Sequence, residues 1–578
     1  MTRIDSTGAH SSNERFGLAR KMCGLSAAIA LAFGASAAAN AAQVQTHHVR
    51  DVVHSFAAQQ VGTLPATQWM SLDIVLPVRD ETGLDAFVAS VTDPSSPNYQ
   101  HYLTPQQFTA QFGPTQNDYD SVVQYLTRYG FKVTGGSRDG LDIQVIGPVS
   151  AVEAAFNVKM RTYRHPTENR MFYSPDREPT TSLAIPLWHV SGLDNYSIPK
   201  PLYVKKSDYA AAHGISPDTV VSHATTGSGP SASFLGSDMR AAYYGGTALT
   251  GKGQNLGLLE YYGTDLADLT KYYKNVGQTN AVPVKLLSTD GTSTSCVASS
   301  GCDDTEQTLD MTQALGMAPG LASLTMYVGS TDTAIISAMT THSPLPTTIG
   351  CSWGWTPADP ATLDPYFKKM AAQGQTFFAA SGDSSTWSTS NEAWPADDAY
   401  VISVGGTDLV TTKAAGPWKS ETAWVDSGGG ISPDKIAIPS WQKIAGVINA
   451  SNKGSTTYRN GPDVSANANF TFYVCADQTT CTANAYGGTS FAAPMWAGFV
   501  ALINQQRVAD GKKRVGNFNA TVYPENESGG KLTSTYTTDF HDIISGKSGS
   551  YSSVTGYDLV TGWGSPKAGL ITTLTNSP

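Results

Sequence analysis

From residue 255 onward, short apolar runs at 255–259, 324–328, 376–380 and 401–404 alternate with helical segments. Nothing else in the chain restricts its fold as much. Runs apolar on both faces need cover on both, and an intervening helix supplies it while returning the chain for parallel pairing. The predicted class is therefore α/β, a mostly parallel sheet flanked by helices. Upstream the rhythm differs. Residues 72–78 alternate like a strand, Leu84, Phe87, Val88 and Val91 recur at helical spacing, and 122–129 is amphipathic. Alternation returns at Leu141, Ile143 and Val145, followed by a short helical stretch at Val152, Ala155 and Phe156 and a strand near 158–163. A small α+β domain is expected over 42–199. Between the two patterns, 200–232 lacks apolar periodicity and is rich in Pro, Gly, Ser and Thr, so it reads as an exposed linker. The larger domain then covers 233–578.

Residues 1–41 stand apart. Arg15, Arg20 and Lys21 precede an Ala-rich apolar stretch ending in Ala39-Asn40-Ala41, which reads as a secretory signal peptide. The stretch is shorter than the roughly 20 apolar residues that span a bilayer. Export follows, to the extracellular space or the periplasm, with no membrane association once the signal is removed. Oxidising surroundings make disulfides plausible between Cys296 and Cys302 and between Cys475 and Cys481, and leave Cys351 as a buried thiol in an apolar run. The 37 Lys+Arg against 47 Asp+Glu, with no basic cluster beyond the short Lys512-Lys513-Arg514 run, argue against nucleic acid as a partner. Residues 233–578 hold 20 Lys+Arg, 28 Asp+Glu and two His, so few groups change charge as pH falls.

Open α/β sheets place their chemistry in loops at the carboxyl ends of strands. The segment Gly487-Gly488-Thr489-Ser490-Phe491-Ala492-Ala493-Pro494 turns from a Gly pair into an apolar helix. Ser490 would sit at the helix N-terminus, where its own N–H has no helical partner and the dipole favours a developing negative charge. A capping serine is the commoner role at such a place; the Gly pair and Pro494 favour a nucleophile. Past the linker only His342 and His541 remain as imidazole bases, and neither has a suitable setting. Glu306 and Asp310, one turn apart on a helix opened by an Asp303–Glu306 capping box, offer a tuned carboxylate base instead, against the alternative of a solvated acidic face. Asp383 follows the 376–380 strand in a Gly turn, where an Asx turn is the competing explanation.

Taken together, Gly-Thr-Ser with Pro494 four residues beyond Ser490, Glu306-x-x-x-Asp310, and Ser381-Gly382-Asp383 resemble the sedolisin family of serine-carboxyl peptidases. Val404-Gly405-Gly406-Thr407, Pro462-Asp463-Val464-Ser465 and the 556–564 segment extend the similarity over nearly the whole exported chain. The resemblance implies a subtilisin-like catalytic domain, with Ser490 as nucleophile, Glu306 as general base and later acid, and Asp310 orienting Glu306. Asp383 would stabilise the oxyanion, and a carboxyl group of ordinary pKa about 3.9 carries the necessary proton readily only in acid. It further implies substrate backbone pairing at Ser352, Trp353 and Gly354, and a Ca2+ site from Asp542 and Asp558 with the carbonyls of Ile543 and Gly556. The α+β domain, similar to the family's propeptide at 93–104 and 152–156, would be a ferredoxin-like prodomain acting as intramolecular inhibitor and folding aid of a zymogen cut in the linker. Protein or peptide substrates and a monomeric state are expected. Competing readings are a secreted non-catalytic carbohydrate-binding or adhesion protein, and a glycosidase with its carboxylates about 5 to 9.5 Å apart.

Overall fold

The computed structural model describes residues 41–220, 226–391 and 393–578. The signal expected over 1–41 lies, but for its last residue, outside them. In the N-terminal domain the strands run Lys132–Ser137, Asp142–Pro148, Trp69–Val75, His189–Ser191 across a four-stranded antiparallel sheet. The chain order is strand, helices, two strands, helix Val149–Phe156, strand, which gives the ferredoxin-like arrangement. Leu72, Ile74, Ile143 and Val145 meet Val122, Leu126, Val152 and Phe156 in its core. The segments expected at 72–78, 122–129 and 158–163 are the strand Trp69–Val75, the helix Gln116–Arg128 and the strand Met160–Arg164.

The larger domain is built on an eight-stranded sheet. Its strands lie in the order Val284–Ser288, Ser323–Val328, Asn255–Glu260, Thr348–Cys351, Thr376–Ala380, Ile402–Thr411 and Trp418–Ala423, with Val464–Asn467 also paired to Ile402–Thr411. All pairings are parallel except that of Trp418–Ala423. One face carries the helices Thr305–Met317 and Ala492–Ala509, through Met311, Leu315, Phe499 and Leu502. The other carries Asp332–Met339 and Pro360–Gln373, through Ile335, Ile336, Leu363 and Phe367. That second apolar cluster also takes in Val75, Leu84, Val88 and Phe108, so the N-terminal domain and the sheet's outer helices share one core. Trp188 Nε1 donates to the Ala361 carbonyl at 2.8 Å and Lys368 pairs with Asp85 at 2.6 Å across the same boundary.

Residues 200–205 differ from the exposed linker expected there. Lys200–Pro201 pairs antiparallel with Trp353–Gly354, Val204–Lys205 pairs antiparallel with Tyr486–Gly487, and Leu202 between them is buried. Composition hid this, because a strap with pairing partners on both sides needs no apolar period of its own. The Cys296–Cys302 and Cys475–Cys481 disulfides are formed and Cys351 is a buried free thiol. No described helix is long and apolar enough to cross a membrane.

Candidate active site

Ser490 lies in a single 3-10 turn, Thr489–Phe491, that runs directly into the buried helix Ala492–Ala509. The approach depends on Gly488, whose φ of 138° lies outside the range most side chains adopt. A Cβ there would lie 2.6 Å from the Leu202 carbonyl oxygen and 2.7 Å from Asp383 Oδ2, so only glycine leaves room for the strap. Ser490 itself is fully buried. Its Oγ donates to Glu306 Oε2 at 2.9 Å, and its backbone N–H donates to the Leu202 carbonyl at 3.0 Å. The strap thus presents one peptide carbonyl to a serine whose hydroxyl is already bound to a carboxylate.

Glu306 and Asp310 project from the helix Thr305–Met317, which is buried nearly all round. With exposures of 2% and 0%, the solvated acidic face is excluded. The Asp303–Glu306 capping box does not form: Asp303 Oδ1 accepts the Thr305 N–H at 3.0 Å, while Glu306 is turned inward to Ser490. Asp310 Oδ1 accepts from Ser352 Oγ at 2.7 Å, and its carboxyl lies one helical turn from that of Glu306 and interacts with it. Burial first, then the charges of Asp310 and Glu260, pushes Glu306 well above the usual carboxylate range, and burial lifts Asp310 to about 8. A dry pair of this kind carries one charge at most, so a shared proton leaves one carboxylate able to accept the serine hydrogen.

Glu260 completes the acidic group and escaped the sequence reading. It ends the strand Asn255–Glu260, is fully buried, and accepts from Trp353 Nε1 at 3.0 Å. Burial and Asp310 raise its pKa well above normal. A glutamate closing an otherwise apolar central strand was the available signal. Asp383 Oδ1 accepts from the Thr489 N–H at 2.8 Å and from Thr489 Oγ1 at 2.9 Å, which holds the carboxyl beside the turn that carries Ser490.

The three residues expected to pair with substrate are divided in their work. The Ser352 carbonyl accepts the Leu202 N–H at 2.9 Å while its hydroxyl serves Asp310. Trp353 and Gly354 supply the edge on which Lys200–Pro201 lies, and the Trp353 ring packs against Tyr261 at 5.3 Å and Tyr262 at 5.5 Å. His342 and His541 stand elsewhere: the first shares a 2.8 Å hydrogen bond with Tyr327, and the second stacks on Trp418 at 3.9 Å.

Near the C-terminus, Asp542 accepts from the Gly556 N–H at 3.1 Å and Asp558 from the Val554 N–H at 3.0 Å, so both carboxylates flank the 554–558 loop. Burial raises both, Asp558 to about 7. Among the described residues neither has an ion-pair partner, and no three acidic, His or Cys side chains gather as a metal cluster. A cation here would rest on two carboxylates and carbonyls such as those of Ile543 and Gly556, a set of hard oxygen donors that fits calcium.

Comparison with known proteins agrees with this architecture. Residues 57–196 match the family model described as Pro-kumamolisin, activation domain, and 290–515 match the Subtilase family. Kumamolisin of Bacillus sp. (strain MN-32) is 30% identical over 544 residues, spanning 88% of this chain and 92% of that protein. Sedolisin of Pseudomonas sp. (strain 101) is 27% identical over 560 residues, spanning 89% and 88% respectively. A solved structure of Pseudomonas sedolisin, a serine-carboxyl proteinase, aligns at 27% identity and a TM-score of 0.48, covering 59% of this chain and 96% of that one. With its activation domain packed against a subtilisin-like sheet, the chain belongs to the sedolisin family of serine-carboxyl peptidases.

Proposed function

We propose that this chain is the zymogen of a secreted, acid-active endopeptidase in which Ser490, Glu306, Asp310 and Asp383 perform the chemistry. The observation that carries the reading is the pairing at Ser490: its Oγ is 2.9 Å from Glu306 Oε2 while its N–H holds a peptide carbonyl at 3.0 Å. Ser490 Oγ attacks the carbonyl carbon as its hydrogen passes to Glu306. The charge that develops on the oxygen is met by the Ser490 N–H and by a protonated Asp383. Collapse of the adduct breaks the C–N bond, and Glu306 returns the hydrogen to the leaving nitrogen. Water then attacks the acyl-serine, giving one proton to Glu306, which restores it to Ser490. Asp310, one turn from Glu306 and held by Ser352, orients the base and takes part in sharing its proton.

Within the intact chain the strap occupies the cleft in the manner of a substrate, which accounts for latency and marks Leu202–Tyr203 as the first bond to be cut. A glycosidase is disfavoured because Glu306 and Asp310 sit one turn apart on a single buried helix rather than on opposite sides of a sugar. When bound at Asp542, Asp558 and the Ile543 and Gly556 carbonyls, calcium would brace the 554–558 loop without entering proton transfer. A strong chelator is then expected to lower the unfolding midpoint of the protein, because a cation held only by the folded state stabilises it. The central test is Glu306→Gln, which keeps the shape but cannot take a proton. Its hydrolysis of denatured casein at acidic pH should fall by about 10^3, in line with loss of a general base; parental activity would remove the mechanism.

A further inference from the structure

Beyond the Leu202 carbonyl the strap continues along Tyr486–Gly487, with Val204 opposite Gly487 and Lys205 opposite Tyr486. Side chains two apart on an extended segment share a side. Tyr203 and Lys205 accordingly converge on one carboxylate: the Tyr203 hydroxyl donates to Asp303 Oδ2 at 3.2 Å and Lys205 Nζ approaches the same oxygen at 3.5 Å. The Tyr486 ring forms the opposite wall, 5.9 Å from the Tyr203 ring and 5.9 Å from the Lys205 ammonium.

Asp303 is tied to the machinery by position. Its Oδ1 takes the Thr305 N–H at 3.0 Å, at the mouth of the helix that bears Glu306 and Asp310, so its distance from the reacting bond is fixed by that helix. The side chain is 47% exposed, accessible to whatever lies in the cleft. Burial opposes its charge, but hydrogen bonds from Thr305 and Tyr203 and the Lys205 charge outweigh that and hold its pKa below the usual range. Its charged form is thus favoured beside a cation, whereas burial opposes charge on the carboxyls behind it.

We infer that Asp303, with Tyr486, is a specificity determinant on the leaving-group side of the cleft, selecting peptides with lysine or arginine at the third residue beyond the scissile bond. The inference rests on the proposed peptidase reading and on the strap lying as a substrate lies. The full-length protein, exposed to acid, is given three internally quenched peptides, Lys-Pro-Leu-Tyr-Val followed by Lys, Gln or Glu, and kcat/KM is compared within one preparation, so poorly folded enzyme cancels. A half-exposed ion pair with a cation–π contact predicts Lys over Glu by roughly tenfold and over Gln by about threefold, shrinking as salt is added. Asp303→Asn, which keeps the acceptor for Thr305, should bring the Lys to Glu ratio within about twofold, and Asp303→Lys should reverse it. Equal cleavage of the three peptides by the parent, or an unchanged ratio in Asp303→Asn, overturns the assignment of Asp303 alone. No cleavage of any peptide sinks the peptidase reading itself and this inference with it.

Discussion

Ser490 owes its setting to neighbours that differ in kind. A backbone N–H, which cannot lose its proton, faces the Leu202 carbonyl, whereas Asp383, held by two donors from Thr489, would in the proposed oxyanion role contribute only when protonated. Asparagine at 383 would offer an N–H at every pH. Asp383→Asn should therefore lower peak activity by about 10- to 100-fold, since an amide donates more weakly from this position than a carboxylic acid. It should also flatten the decline in kcat/KM as pH rises; a variant profile that merely scales the parental one would show that Asp383 does not act by donating a proton.

Among the elements, the strap carries the most consequence. Six residues, 200–205, are held on one side by Trp353–Gly354 and on the other by Tyr486–Gly487, and the peptide between these pairings is the one at Ser490. If that alignment is productive, brief acid exposure of the full chain yields a first new N-terminus at Tyr203, read by N-terminal sequencing or intact-mass measurement. A first cut elsewhere in 206–232 would mean that the strap inhibits without being cleaved in place. The helix Thr305–Met317 makes a different point. It is buried nearly all round, so its carboxylates are not a surface face that happened to be acidic; the sheet and the helix Ala492–Ala509 exclude water from them.

Over the whole molecule, buried carboxyls with raised pKa values set the response to pH. Asp310 is pushed up to about 8, Asp397 and Asp558 to about 7 and Asp332 to about 6, in each case chiefly by burial, and Glu260, Glu306, Asp73 and Asp398 move in the same direction. Each group binds its proton more tightly folded than unfolded. The resulting stability is fully present below the ordinary values of 3.8 and 4.5 and is lost as pH climbs through the folded values, from about 4 to about 8. His189, His342 and His541, whose rings resist protonation on burial, and carboxylates such as Glu178 and Asp303, held below the usual range by hydrogen bonds and neighbouring charge, work in the opposite sense and are outnumbered by the raised carboxyls. The unfolding midpoint of the full chain, with Ser490→Ala to prevent self-digestion, should thus fall by roughly 5–10 °C between pH 4 and pH 7.5; a rise over that interval would contradict the burial of these groups as charged-form penalties.

Read alone, the sequence determined the features that local chemistry encodes: strand and helix periodicity, the Gly-Gly turn before Ser490, the two short cysteine loops, and the one-turn spacing of Glu306 and Asp310. Only the tertiary structure decided that Glu260 joins those carboxylates, that Asp303 serves the strap rather than a capping box, and that a stretch resembling a loose linker lies across Ser490. Those outcomes depend on contacts between residues tens to hundreds of positions apart, made through backbone hydrogen bonds and burial that leave no periodic trace in either partner.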